Sequence, residues 1–229
     1  LYGRDISVNG GGNMAMAMGY LMGWFGPIYE ELDEYVEFSA LSTNFNPLLH
    51  IQNVYKIPVA NRDLIKKAII DYGAVTAEFS KWISSGHAVT LVGWDDNYNG
   101  YDFDNIYAEG AWIFKNSWGE NYKDHGYFYV SFDREIQEAY TFVFNDEKGY
   151  TDIYQYDLAG PTYYTTHYTA FKTRFTSRSN DVLSAVAAYF DKETDYTFII
   201  YKNGNQVATQ SGHSLAGYMT IPLKNEILL

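Results

Sequence analysis

The stretch of sequence that decides the fold is GHAVTLVGW, residues 86–94, which carries a histidine into an apolar run. Small and β-branched residues in such a run predict a buried strand. A second stretch, WIFKNSWG at residues 112–119, ends another predicted strand with an asparagine, a tryptophan and a glycine. We therefore expect the His87 imidazole and the Asn116 amide to lie on neighbouring strands.

A side-chain amide beside a histidine has a chemical consequence. An amide oxygen that bonds one imidazole nitrogen fixes the tautomer, and the other nitrogen can then transfer a proton. The indole of Trp118, two residues after Asn116, would exclude water from that bond. An isolated histidine in a strand is more often a hydrogen-bonded core residue, and it is the pairing with residues 116–119 that favours the functional interpretation.

Two helices are predicted upstream of these strands. Asn13 is a suitable N-cap for a helix over residues 14–24, which would stop at residues 26–27, Gly-Pro. Asn61 and Gly73 delimit a second helix, within which apolar residues repeat at helical spacing.

Between the two helices, residues 27–60 show little periodicity and are predicted to be loop. After Gly73 the period changes to that of strands, predicted at residues 74–79, 88–94, 111–115, 127–132 and 140–144.

Composition and charge divide the chain near residue 148. Residues 1–148 hold ten Lys and Arg against twenty-one Asp and Glu, a net charge of −11, whereas residues 149–229 hold six against seven, a net charge of −1. The later part alternates apolar and polar residues in short runs, with a turn signal at residues 203–205. We expect one domain over residues 1–147 and an all-β module over residues 148–229.

Several function classes are disfavoured. The net charge of −12 argues against binding to nucleic acid and against docking on an anionic membrane.

The longest apolar stretch, residues 14–28, is interrupted by glycines and is too short to span a bilayer. Residues 95–100 resemble the start of a calcium loop, but Ile106 stands where its twelfth-position Glu is expected, so we predict a polar turn between strands. We expect no metal and no cofactor.

The two motifs around His87 and Asn116 resemble those of the papain-like cysteine peptidases, whose site is a Cys-His-Asn triad. The resemblance covers about residues 5–145, including a glycine-rich strip at residues 10–13. It implies that His87 is the base, that Asn116 orients it and that Trp118 shields their bond. The remaining roles that it implies are backbone hydrogen bonds from Gly11 and Gly12 to an extended peptide, and a main specificity pocket beside Met14 and Ala88.

The chain contains no cysteine. In the family, the nucleophilic Cys and an oxyanion-hole Gln precede the glycine strip, and both would fall before Leu1. We therefore expect an α+β, papain-like fold without its N-terminal nucleophile helix, and an inactive chain. Because the chain begins at Leu1 and stops just after a predicted strand at residues 218–223, we expect a piece of a longer protein. The alternative is a processed chain with natural ends.

Residues 153–157 and 211–223 resemble the lectin-like β-module that follows papain-like domains in some surface proteins. The resemblance implies a sandwich-like module, incomplete at its C-terminus, and a secreted or cell-surface protein. Cell-wall glycan is a possible partner beside the peptide substrate, and Tyr163, Tyr164 and Tyr168 are aromatic candidates, although a solvated Tyr-rich loop is the simpler interpretation. The alternative function is a non-catalytic adhesin or pseudopeptidase.

Overall fold

The computed structural model describes residues 11–32, 46–79, 87–144, 149–156, 160–161, 168–178 and 180–229. The chain divides into two compact units, one made of Tyr55–Phe142 and the other of Leu1–Val54 together with Val143–Leu229. We call them the central unit and the composite unit. The domain boundary between residues 147 and 148 stays a prediction.

The central unit begins with helix α1, Arg62–Tyr72. The side-chain oxygen of Asn61 accepts hydrogen bonds from the backbone N–H groups of Asp63 and Leu64, two donors that have no partner inside the helix. At the other end, Gly73 has a φ of +87°, a conformation that favours glycine. Both predicted ends of this helix are confirmed.

Five antiparallel strands follow. The first of these strands lies between the second and the fifth and pairs with both. The five strands are β1 (Val75–Phe79), β2 (His87–Tyr101), β3 (Tyr107–Lys115), β4 (Tyr127–Ser131) and β5 (Glu138–Phe144), in the spatial order β4-β3-β2-β1-β5. Buried side chains from α1 and the sheet form one core: Ile65, Ala68, Ile69, Val75, Ala77, Val89, Leu91, Trp112, Phe114, Phe128, Val130, Ile136 and Ala139.

Strand β2 is longer than predicted. Residues 95–100 were expected to form a turn, but the strand continues to Tyr101, and an irregularity between Asp95 and Asn99 absorbs the break in its ladder with β3. The turn lies at residues 102–106 instead. There the Asp102 carboxylate accepts hydrogen bonds from the backbone N–H groups of Asp104 and Ile106, which closes the hairpin.

The composite unit contains helix α2, Met14–Met22, which Asn13 caps by accepting a hydrogen bond from the Met16 N–H. The predicted cap is confirmed, whereas the helix ends two residues before the predicted Trp24. None of the described helices is long and apolar enough to cross a membrane.

The prediction of a loop over residues 27–60 is wrong in part, because the segment contains strand β6, Ile51–Lys56. Two polar residues, Gln52 and Asn53, interrupt its apolar pattern and hide it from sequence reasoning. Both residues bond Thr220. The backbone carbonyl of Gln52 accepts a hydrogen bond from the Thr220 hydroxyl, and the side chain of Asn53 accepts one from the Thr220 N–H.

Apart from a short 3-10 helix at Glu30–Leu32, the remaining regular elements that the structure describes in the composite unit are strands. They are β7 (Val182–Phe190), β8 (Thr194–Lys202), β9 (Asn205–Ser214) and β10 (Gly217–Leu228). β10 lies between β6 and β7, while β8 and β9 form a separate hairpin. The hairpin turns at Asn203 and Gly204, whose φ angles of 50° and 84° confirm the predicted turn. Gln210 of β9 ties the hairpin to β10 through hydrogen bonds with Pro222 and Lys224.

Candidate active site

Two strand ends bring His87 and Asn116 together in the central unit. His87 is the first residue of β2, and Asn116 directly follows the last residue of β3. The ladder between these antiparallel strands ends at the pair Thr90 and Lys115, so both residues lie at the same end of the sheet. The distance between His87 Nε2 and Asn116 Oδ1 is 3.2 Å. The register of two neighbouring strands therefore produces the contact.

A compact turn after β3 holds Asn116 in place. The Asn116 N–H donates to the Gly126 carbonyl at 2.8 Å, and the Gly126 N–H donates to the Tyr122 carbonyl at 2.7 Å. Gly126 has a φ of +88°, and a Cβ at this position would lie 3.1 Å from the Gly119 carbonyl oxygen. Both observations explain why the turn requires glycine at this position.

The orientation of the Asn116 amide follows from its backbone neighbour. The Ser117 N–H lies 2.8 Å from Asn116 Oδ1, and since an N–H can only donate, the facing atom must be oxygen. The same oxygen faces His87 Nε2. Nε2 therefore carries the hydrogen, and in a neutral ring Nδ1 carries the lone pair. The Asn116 Nδ2 atom is buried without an acceptor among the described residues, yet a reversed amide would place its NH2 group against the Ser117 N–H, and two donors cannot bond each other.

Trp118 lies beside this pair. The ring centroids of Trp118 and His87 are 5.0 Å apart, with an interplanar angle of 27°. Tyr122 meets the Trp118 ring edge-on at 5.0 Å. Asn116 is only 6% exposed, whereas Trp118 is 49% exposed. An exposed indole next to a buried amide can limit the access of water to the polar contact, and such a contact is stronger where water is excluded.

The other predicted site residues are divided between the two units. Ala88 lies in the central unit next to His87 and is exposed. Gly11, Gly12 and Met14 lie in the composite unit, the two glycines in the exposed segment before α2 and Met14 as the first residue of that helix. A Cβ at Gly11 or Gly12 would meet no atom within 4 Å, so packing among the described residues does not require glycine there.

Sequence reasoning missed a pair of carboxylates beside the site. Glu78 of β1 lies directly opposite Ala88 of β2, and Glu138 of β5 lies directly opposite Glu78. Directly paired residues project from the same face of a sheet, so the three side chains form one row. Both glutamates are part-buried, and no ion pair joins either of them to a described residue. The register of β1 with β5 joins segments 60 residues apart, so one sequence cannot reveal it.

The carboxylates at the β2–β3 turn are engaged by a cation. Arg134 donates to Asp102 Oδ2 at 2.6 Å and to Asp104 Oδ2 at 3.0 Å, and its guanidinium lies over the Phe103 ring. Burial acts to raise the pKa of the Asp102 carboxyl, but hydrogen bonds from Arg134 and from the Ile106 and Asp104 N–H groups outweigh it and hold that pKa below its ordinary value. No group of three or more potential metal ligands occurs among the described residues.

A family profile matches the part of the chain that holds these residues. Residues 57–144 match the papain family of cysteine proteases. The match includes His87, Asn116 and Trp118 and confirms the predicted resemblance to papain-like peptidases. No curated protein sequence matches the chain significantly.

Solved structures extend the likeness to nearly the whole chain. The cysteine protease and lectin-like domains of Cwp84, a surface layer associated protein of Clostridium difficile, match with a TM-score of 0.67 and 22% identity over 94% of this chain. A Cys→Ala form of the clostridial cysteine protease Cwp84 after propeptide cleavage matches with a TM-score of 0.64 and 22% identity over 97% of this chain. The chain spans 56% and 65% of those two solved chains. The likeness confirms the predicted α+β, papain-like fold followed by a β-module.

Proposed function

We propose that this chain carries the base and the orienting amide of a papain-like cysteine endopeptidase. The observation that carries the proposal is the contact of Asn116 Oδ1 with His87 Nε2, with the amide orientation fixed by the Ser117 N–H. The papain-family match over residues 57–144 supports it independently.

The proposed reaction needs a thiol, and because the chain contains no cysteine the thiol comes from outside these 229 residues. His87 Nδ1 takes the thiol proton, and the thiolate attacks the carbonyl carbon of the scissile peptide bond. The imidazolium then returns the proton to the leaving amine, and water hydrolyses the thioester with His87 again as base. Asn116 keeps Nε2 protonated throughout, so that Nδ1 is the atom that exchanges the proton.

The proposal makes the 229-residue chain inactive by itself, since a base and an amide without a nucleophile give little catalysis. The test is the hydrolysis of a quenched fluorescent peptide by this chain, beside the product of the complete gene. We expect turnover only from the longer product, with inhibition by a thiol-directed epoxide. Turnover by the 229-residue chain would contradict the Cys-His-Asn assignment.

The roles of the peptide-binding residues are part of the same proposal. Gly11 and Gly12 would bond the backbone of an extended substrate, which must approach closely. Met14 and Ala88 would border the main specificity pocket. The open space around both glycines is compatible with that approach. Gly12→Val in the complete gene product should then raise KM for a peptide substrate without changing the thermal midpoint of unfolding.

We further propose that the peptidase prefers a Lys or Arg side chain near the scissile bond. The acidity of residues 1–148 suggests this preference, and the row of Ala88, Glu78 and Glu138 beside His87 supports it. Like charges directly opposite each other are unfavourable, and a substrate cation between them would relieve the repulsion. A cleavage profile on a peptide library is the test, and Glu78→Gln should reduce the basic preference. A wild-type profile without that preference would contradict the proposal.

A second candidate function is the binding of cell-wall glycan by the β-module, either in a surface peptidase or in a non-catalytic adhesin. Cwp84 is described as a surface layer associated protein with a lectin-like domain, and we propose the same location for this protein. Exposed aromatic side chains in the composite unit favour it, among them Tyr156, Tyr168 and Phe171. The sequence that the gene encodes upstream of Leu1 distinguishes a peptidase from an adhesin. A Gln shortly before a Cys-Trp pair supports the peptidase, and a Ser, Ala or Gly at the position of the Cys supports the adhesin.

A further inference from the structure

A pocket of about 410 Å³ lies within the composite unit, in the segments around residues 153–156 and 175–178. Tyr156 and Phe175 form its aromatic wall, and Gln155, Thr176 and Arg178 contribute polar groups. None of these residues is among those with predicted roles in peptide hydrolysis. The pocket therefore needs a separate explanation.

The aromatic wall is fixed before any ligand arrives. The Tyr156 and Phe175 rings stack with centroids 4.9 Å apart and an interplanar angle of 11°. The Tyr156 hydroxyl donates to the Arg174 carbonyl at 2.8 Å, which anchors the far end of the ring. Tyr156 is nevertheless 67% exposed and Phe175 42% exposed. A rigid ring with an open face gives contact area at little cost in conformational entropy.

Gly23 and Phe25 also line the pocket. A Cβ at Gly23 would lie 2.5 Å from the Phe25 ring, so a larger residue would displace that ring. A bulkier side chain at position 23 should therefore change the shape of the pocket while leaving its polar groups intact.

The polar groups of the pocket select the kind of ligand. The side chains of Gln155 and Thr176 have no hydrogen-bond partner among the described residues, and both are available as donors and acceptors. Arg178 is already engaged, because its Nη2 donates to the Ile153 carbonyl at 2.7 Å and lies 2.9 Å from the Asp152 carboxylate. Its charge is thus balanced, and the pocket favours a neutral ligand with hydroxyl groups over an anion.

We propose that this pocket binds a neutral pyranose ring of a glycan, stacked on Tyr156 and hydrogen-bonded to Gln155 and Thr176. A sugar has an apolar C–H face and a rim of hydroxyls, which match the open ring and the unpaired polar groups. An apolar peptide side chain would fill the volume but leave the Gln155 amide without partners, at a cost in affinity. The assignment rests on the proposed glycan binding of the β-module and is independent of the peptidase chemistry.

The test is calorimetric titration of the 229-residue chain with cellotetraose and with chitotetraose. We expect saturable binding of at least one, which Tyr156→Ala weakens about tenfold, the effect of losing roughly 1.4 kcal/mol of aromatic contact. Gln155→Ala should weaken it as well. Tyr201→Ala is the matched control, because Tyr201 is 51% exposed and does not line the pocket, and the affinity of this variant for the sugar should stay within about twofold of the wild-type value.

The outcomes distinguish the assignment of the pocket from the broader proposal that the β-module binds glycan. Binding that Tyr156→Ala and Gln155→Ala leave unchanged overturns the pocket assignment and leaves glycan binding elsewhere in the module. No binding of either sugar by the wild-type chain overturns the assignment, and binding of N-acetyl-phenylalanine amide in that case identifies an apolar peptide site instead. Neither result bears on the peptidase proposal, because no thiol takes part in the titration.

Discussion

The two units of the chain differ in the aromatic residues that they bury, although each unit also exposes some. In the central unit Trp112, Phe114 and Phe128 are at most 2% exposed and form a continuous core under the sheet. In the composite unit Tyr156 is 67% exposed and Phe171 is 86% exposed. A dense core fixes two strand ends precisely enough to pair a histidine with an amide, whereas exposed rings present faces to a ligand. The contrast is consistent with the proposed peptidase chemistry of the central unit and the proposed glycan binding of the composite unit.

One buried ion pair of the central unit differs from an exposed pair of the composite unit. In the central unit the Asp102 side chain is fully buried and bonded to Arg134, which is itself 19% exposed. In the composite unit His213 bonds Asp195 at 2.8 Å, but their side chains are 57% and 91% exposed. A pair that is removed from water is costly to break, while a solvated pair contributes little.

The largest expected effect is on unfolding, and a matched pair of Phe→Ala variants measures it. Phe114→Ala should lower the free energy of unfolding by about 3–5 kcal/mol, because it removes a fully buried ring. Phe171→Ala should change it by less than about 0.5 kcal/mol, because that ring is solvated. Urea denaturation of both variants checks the difference. Similar losses in the two would remove the contrast between the units.

A smaller effect is expected at Asp102, and it depends on pH. The pKa of Asp102 is lower in the folded chain than in the unfolded chain. Its contribution to stability is therefore fully present above the unfolded pKa of about 3.9 and is lost as pH falls through the folded pKa. Asp102→Asn should remove this part of the acid dependence.

Free energies of unfolding measured by urea at several pH values between 2 and 7 test this prediction. Asp104→Asn is the control, because the Asp104 side chain is 58% exposed, although it contacts the same Arg134. An unchanged pH dependence in Asp102→Asn would show that the buried pair does not shape the acid transition.

The smallest effect is expected at the exposed pair of the composite unit. The hydrogen bond that the His213 ring donates to the Asp195 carboxylate is the main cause that raises the pKa of His213. Any stabilisation from the pair is present below the unfolded pKa and is lost as pH rises through the folded pKa. Asp195→Asn should lower the His213 pKa toward its ordinary value with no measurable change in the unfolding midpoint. NMR titration of the His213 ring checks the pKa, and a pKa unchanged by the substitution would exclude the contact.

Periodicity and capping residues predicted much of the fold, because these signals are local. Asn61 and Gly73 correctly predicted the ends of α1, and residues 203–204 correctly predicted the hairpin turn of the module. Strand β6 was missed because Gln52 and Asn53 are polar, and the Asn53 side chain accepts its hydrogen bond from Thr220, a partner more than 160 residues away. The sequence did not predict the continuation of β2 through residues 95–101, because the solvated acidic residues there are compatible with either a turn or an exposed strand.

The residues of the candidate site also differ in whether a local sequence signal reveals them. His87, Asn116 and Trp118 stand in short motifs that one sequence displays, so they could be named before the structure. Glu78 and Glu138 carry no motif, and only the register of β1 with β2 and β5 places them in one row with Ala88. The pocket at Tyr156 combines separate segments, and its aromatic residues differ from the predicted group at residues 163–168, of which only Tyr168 belongs to the described chain.

The central claim is that His87 is the base of a cysteine peptidase, and the rate of peptide hydrolysis by the complete gene product tests it most directly. His125 is the matched control, because it lies on an exposed turn of the same unit. We predict that His87→Ala lowers kcat by about 10³-fold or more, while His125→Ala changes it by less than about threefold. Full activity in His87→Ala, or none in the wild-type product, would contradict the claim.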